Sequence, residues 1–138
     1  MQTTLYQQAL LSHHQNPTGF QHNIKPSAES DGYNPACGDE ITVKISTEKN
    51  TITGISFEGE SCAICRASAS IMCQQVSSLS DVQAKESIAL IESSFAQKVP
   101  FAEALSPLNG VFDFPVRQQC ALLPWQTLKQ CLSQFKNS

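Results

Sequence analysis

Apolar residues recur at every second position through ITVKIS, where Ile41, Val43 and Ile45 fall on one face of a half-buried strand. EKN reads as a turn, and TITGISF returns as a second strand with Ile55 and Phe57 on one face. Together they predict an antiparallel hairpin. The period then changes. In CAICRASASIMCQQVSSL, Ile64, Ala67 and Ile71 step by three and four, and Met72, Val76 and Leu79 continue the stripe, so a helix follows the hairpin. Ser80 with Gln83 has the form of a capping box and opens a further helix that aligns Ile88, Ile91 and Phe95. Upstream, Thr4 with Gln7 has the same form, ahead of a helix with Leu5, Tyr6, Ala9 and Leu10 on one side and NPTG as its stop. Residues 17–36 hold three prolines, two glycines and few apolar residues, and read as a loop. Residues 99–115 read as mostly loop with one short helical turn, and the chain is helical again from Pro115. Pro124 disturbs that last helix. It has no N–H for the carbonyl of Cys120, so the helix kinks there or a new one begins. The order of elements predicts a single α+β domain over residues 1–138, with helices packed on one face of a small antiparallel sheet.

Composition narrows the function. The 138 residues suffice for one core. A net charge of −3 and a pI near 5.5 argue against a nucleic-acid partner, which calls for a basic face. No apolar run approaches the roughly 20 residues of a membrane span. The first residues, MQTTLYQQALLSHH, lack the basic and apolar regions of a signal peptide. The expected location is cytoplasmic. In a reducing compartment the six cysteines are not expected to form structural disulfides. Metal binding, sulfur chemistry or plain burial remain for them.

Cys62 and Cys65 form a C-x-x-C pair, but no second pair exists to build a zinc ribbon. A thioredoxin-like pair follows a strand in a βαβ unit, and here a hairpin precedes. Three cysteines instead sit at element boundaries. Cys37 lies in NPACGDE, where a glycine allows a tight turn and Asp39 follows two residues on. Cys62 starts a helix, where an anion is favoured. Cys120 lies near the start of the last helix. Cys37, Asp39, Cys62 and Cys120 would satisfy a tetrahedral zinc ion. The alternative is three thiols in separate local roles.

The segments NPACGDEITVKI, FEGESCAICRASASIM and FPVRQQCALLPW, in this order, resemble the SufU/IscU-type family of iron–sulfur cluster assembly proteins, and LSHHQNPTG is similar to the end of that family's first helix. The resemblance implies the family's α+β fold and a metal site made of Cys37, Asp39, Cys62 and Cys120. It implies one of two activities. IscU-like members are scaffolds for a [2Fe–2S] cluster and carry a histidine before the last motif cysteine; this chain has Gln119 there. SufU-like members are zinc-dependent sulfurtransferases and have a longer spacing between the second and third motifs, similar to residues 63–119 here. The SufU-like reading implies Zn²⁺ as cofactor, with iron or a [2Fe–2S] cluster as the alternative. It implies a pyridoxal-phosphate cysteine desulfurase, SufS-like, as sulfur donor and a Suf-type scaffold downstream. The expected acceptor is Cys37, on a Gly-flanked loop that can swing. One metal ligand is expected to give way when the desulfurase docks, replaced by a partner group such as a histidine.

Other residues have two readings each. Arg117 matches the family's arginine and is expected either to hold Asp39 or tune a thiolate, or to be a solvated helix-start residue. Cys65 is a spare ligand, a resolving thiol or, preferred, a small core residue. Cys73 is about 16 Å along the helix from Cys62 and reads as packing. Cys131 reads as buried beside Leu128 and Leu132, and Trp125 as core. His13, His14 and His22 read as surface residues, with partner contact as the alternative. Glu29 and Asp31 sit in a polar loop with no visible partner.

Overall fold

Three strands form an antiparallel meander, β1 (Ala28–Asn34), β2 (Asp39–Glu48) and β3 (Thr51–Glu58), in that spatial order. The computed structural model describes residues 2–134, with side chains from Gln8 onward. Pairing of Val43 with Phe57 and of Ile45 with Ile55 turns the alternation in the sequence into one apolar face. Ile41, Val43, Ile45, Ile55 and Phe57 are all buried on it. A register shift between Ser46 and Thr47 accommodates one extra residue of β3, which brings Ile52 to the interior as well. On the opposite face Glu29, Asp31, Tyr33 and Glu40 are exposed.

β1 corrects the expectation of a loop through residue 36. It pairs with β2 from Ala28↔Ile45 to Asn34↔Asp39. Its sequence, AESDGYN, has almost nothing apolar to alternate, so the ladder defines the strand where burial does not. Glu29 and Asp31 are therefore strand residues, and Asp31 accepts a hydrogen bond from Thr42 Oγ1 at 2.6 Å.

Helices α1 (Gln2–Gln15), α2 (Ala63–Val76), α3 (Asp81–Gln97) and α4 (Pro115–Ser133) complete the fold with a 3-10 segment at Glu103–Val111. α4 lies across β1 and β2, and α2 packs between α4 and β3. α1 covers α2, and α3 covers α4. The helix α1 starts at Gln2, ahead of Thr4; the side chains of Thr4, Leu5, Tyr6 and Gln7 lie outside the described ones. α2 ends at Val76, short of Leu79, because Ser78 and Leu79 hydrogen-bond through their backbone to Ile52. The Ser80–Gln83 capping box is present in both directions.

Residues 99–115 are more ordered than the loop expected. Asn109 accepts from the Phe101 N–H and donates to its carbonyl, Phe101 stacks on Phe112, and Phe95 meets both rings edge to face. α4 runs unbroken through Pro124, so no second helix begins there. Burial of Pro124, Trp125, Leu128 and Leu132 holds it together across the missing bond. Trp125 Nε1 also donates to Ser68 Oγ, which in turn donates to the Ala121 carbonyl.

Gly59 ends the hairpin with φ +121°, and a Cβ there would stand 2.3 Å from the Glu40 carbonyl oxygen. The Glu40 N–H in turn donates to the Glu60 carbonyl at 2.9 Å, which carries the chain from β3 across to Cys62. Gly59→Ala is expected to lower stability by about 2–4 kcal/mol, from backbone strain and the clash together. Urea unfolding measures it, and an unchanged midpoint would contradict this account.

Candidate metal centre

The β1–β2 hairpin places the first two residues of the site. Asn34 pairs with Asp39, so Pro35–Gly38 form the connecting loop and Cys37 stands at its exposed tip. Gly38 takes φ +70°, a left-handed conformation that suits glycine. Asp39 has the same parity as Ile41, Val43 and Ile45 and so points inward, where it is 1% exposed. Its Oδ1 accepts the Cys62 N–H at 2.7 Å. Cys62 is the N-cap of α2, and its Sγ accepts the Cys65 N–H at 3.4 Å. Cys120, one-third of the way along α4, is 2% exposed and brings its sulfur to the same point.

Three of the four expected side chains form one cluster, and the fourth stands at its edge. Cys37 Sγ and Cys120 Sγ are 2.8 Å apart. The donor atoms of Cys37, Asp39 and Cys120 all lie within 4.8 Å of one another. Cys62 borders this set, with its Sγ 3.7 Å from Asp39 Oδ2. Ligand atoms of a tetrahedral zinc ion with bonds of about 2.1–2.3 Å are roughly 3.6–3.8 Å apart. The Cys62–Asp39 pair already has that spacing. The Cys37–Cys120 pair is about 1 Å tighter than this, and Cys37 is the member on a loop. Cys37, Asp39 and Cys120 therefore fit a metal ion in type and reach, with Cys62 beside them as a candidate fourth donor, and such a set of sulfurs and one carboxylate suits zinc or iron.

Electrostatics agree with a site built for a cation. Burial pushes the Cys62 thiol up; the Cys65 N–H works against this without overcoming it. The favourable helix terminus is thus outweighed by desolvation. Burial also pushes Cys120 up, and the neighbouring Cys37, Asp39 and Cys62 add to the effect. A half-buried and a buried thiol beside a buried carboxylate disfavour extra negative charge, which a bound cation would offset.

A cavity of about 650 Å³ opens beside the thiols. Cys37, Cys62 and Cys120 form one wall, and Ile64, Phe114 and Val116 are among the apolar residues of the rest. Arg117 lines it too, but its guanidinium lies over the Phe114 ring, 4.4 Å from the centroid. Among the described residues no hydrogen bond or ion pair links Arg117 to Asp39. Gln119 is exposed and lines a separate depression with Tyr33, Asn34 and Leu122.

A family model of the NifU-like N-terminal domain matches residues 5–138. The chain belongs to this family. The family assignment agrees with the resemblance carried by the three motifs. Among its relatives is the zinc-dependent sulfurtransferase SufU of Bacillus subtilis, 33% identical over 132 residues, covering 92% of this chain and 88% of that one. The iron–sulfur cluster assembly scaffold protein IscU of Thermotoga maritima is 29% identical over 140 residues, covering 95% and 94%. The fold matches the crystal structure of a nitrogen-fixing NifU-like protein (N-terminal) from Brucella abortus with a TM-score of 0.86 at 20% identity, over 96% of this chain and 95% of that one. Among the described residues no helix is long and apolar enough to cross a membrane.

The remaining cysteines of this family member sit apart from solvent. Cys65, Cys73 and Cys131 are at most 1% exposed. Burial raises all three thiols, Cys73 to about 12 and Cys131 to about 11. Cys131 also donates to the Val43 carbonyl. In metal-free folded protein, iodoacetamide is expected to alkylate Cys37 at least about tenfold faster than these three. Peptide mass spectrometry reads the order, and equal rates would contradict it. The histidines are less exposed than expected in two cases. His13 is half-buried, hydrogen-bonded to Ser70 Oγ at 2.7 Å and lowered by burial; His14 is half-buried; His22 is exposed.

One residue of the site escaped the sequence analysis. Asn34 is buried behind the loop and donates from Nδ2 to Cys120 Sγ at 3.7 Å. The signal was in NPACGD, since asparagine before proline opens turns in which its side chain takes part.

Proposed function

We propose that this chain is a zinc-dependent sulfurtransferase that accepts persulfide sulfur on Cys37 from a cysteine desulfurase and passes it to the cluster-assembly machinery. The observation that carries the proposal is the contrast within one cluster: an exposed thiol on a hairpin tip beside two thiols and a carboxylate fixed in the fold. The similarity to SufU supports it. Cys37, Asp39, Cys62 and Cys120 would hold the metal. Zinc, when bound, keeps its coordinating thiols deprotonated at neutral pH.

The chain's own residues do the rest. Cys37 alone of the three thiols can reach a partner without unfolding a helix end. The open cleft would receive the segment that carries the persulfide, which on docking would cover its apolar wall. The Cys37 sulfur attacks the terminal sulfur of the partner's persulfide. That S–S bond breaks, a new one forms at Cys37, and the electron pair leaves on the partner's cysteine as thiolate. Arg117, exposed and lying over the Phe114 ring at the cavity wall, would offer a cation to this leaving charge.

A scaffold role for an iron–sulfur cluster is the second reading, supported by the similarity to IscU over most of the chain. The deciding experiment is alanine formation from cysteine by the organism's cysteine desulfurase, with and without the zinc-loaded protein, under reducing conditions. Strong stimulation is the expected result. No stimulation, with cluster assembly on the iron-loaded protein, would overturn the sulfurtransferase reading in favour of the scaffold.

A further inference from the structure

Asn34 makes four hydrogen bonds that all converge on the cysteine site. Its main-chain carbonyl accepts from the Cys37 N–H at 3.3 Å and the Gly38 N–H at 2.8 Å. Its side-chain Oδ1 accepts from the Ala36 N–H at 3.2 Å. Its Nδ2 donates to Cys120 Sγ at 3.7 Å. The amide orientation follows from these partners. Ala36 offers only a donor, so Oδ1 must face it, and Nδ2 is left for the sulfur. The residue is 7% exposed, so water competes little for these bonds.

We propose that Asn34 is the positioning residue of the metal centre, tying the Cys37 loop to Cys120 and tuning the Cys120 sulfur through an N–H···S bond. The inference rests on the metal-binding reading above. Two effects are combined in one side chain. Oδ1 fixes the turn that sets where Cys37 stands. Nδ2 withdraws charge from a sulfur that would otherwise sit, when deprotonated, beside Asp39 and two other thiols. Outer-shell donors of this kind orient the ligand and moderate its donor strength. The position is also well placed structurally, because β1 ends at Asn34 and its Cα partner across the ladder is Asp39. One residue thus touches the loop ligand by hydrogen bonds, the strand ligand by register and the helix ligand by its amide.

The test separates the donor from the turn. Asn34→Asp keeps the shape and the acceptor for Ala36, removes the donor and sets a negative charge against the Cys120 sulfur. Asn34→Ser keeps a smaller acceptor and also removes the donor. Cobalt(II) serves as the spectroscopic probe, and circular dichroism checks the fold. The expected result is a shifted thiolate-to-cobalt charge-transfer band in both variants. Retention of zinc against a competing chelator should fall about 10–100-fold. A variant that folds, binds within twofold of the wild type and keeps the band unchanged would overturn the assignment. The wild type supplies a measurement that needs no variant. The Asn34 side-chain amide resonances in nitrogen-15 spectra should shift on zinc loading, and unmoved resonances in protein that has taken up zinc would sink the idea alone. Wild-type protein that takes up neither metal would sink the metal-centre reading instead.

Discussion

Cys37→Ser is expected to abolish sulfur acceptance completely. Serine oxygen forms no persulfide, and its hydroxyl is not deprotonated at neutral pH as a coordinated thiol is. Alanine formation by the desulfurase should then match the level without this protein. The fold should be unaffected, because Cys37 is exposed at a hairpin tip and the loop is held by the Asn34 carbonyl and amide, which the substitution leaves in place. The comparison that gives the result meaning is Cys65→Ser. Cys65 is fully buried in α2, and only its backbone N–H engages Cys62. Its loss should cost about 1–3 kcal/mol of stability through a buried hydroxyl and leave sulfur acceptance intact. If Cys65→Ser lost acceptance while Cys37→Ser kept it, sulfur would enter through the C-x-x-C pair, and the assignment of Cys37 would be wrong.

The parts of this site that were readable in advance share a property: each depends on local periodicity. Asp39 lies two residues before Ile41, so the strand's alternation alone aims it at the core. Cys62 stands where a period of two gives way to a period near four, which marks a helix start. Cys120 is five residues into a helix announced by Pro115. What was not readable depends on contacts between distant segments. β1 has no apolar alternation and exists because β2 offers it a ladder. The 2.8 Å approach of Cys37 and Cys120 requires that strand, since α4 is laid across it. Arg117 turns to Phe114, a neighbour on its own chain segment, in preference to the buried carboxylate. A guanidinium stacked on an exposed ring keeps most of its hydration, whereas reaching Asp39 would mean burying it. The proline in α4 left two local outcomes open, a kink or a new helix, and burial of Trp125 and Leu128 keeps one helix running through it.

Asp39→Ala should have the largest effect on metal binding, because the side chain serves the site twice. Among the described residues it is the only oxygen donor in the cluster, and its Oδ1 also accepts the N–H of Cys62. On the proposed site, removing it takes one ligand and frees the residue that carries another. Loss of an outer-shell partner alone costs up to about 100-fold in affinity, so this variant is expected to lose more than that, over about 2.7 kcal/mol. The effect should also appear as stability. Metal bound only to the folded state raises the melting temperature in proportion to the logarithm of its excess over Kd. Zinc should therefore raise the melting temperature of the wild type and leave Asp39→Ala nearly unmoved at the same concentration. Asp39→Asn separates the two roles, since an amide oxygen can still accept from Cys62 while the charge is gone. It should fall between the other two. An Asn variant as weak as the Ala variant would mean that charge balance among three thiolates and zinc dominates. An Asn variant as strong as the wild type would mean that Asp39 acts chiefly by holding the N-cap of α2, and that zinc is bound by the three sulfurs with a fourth ligand from elsewhere.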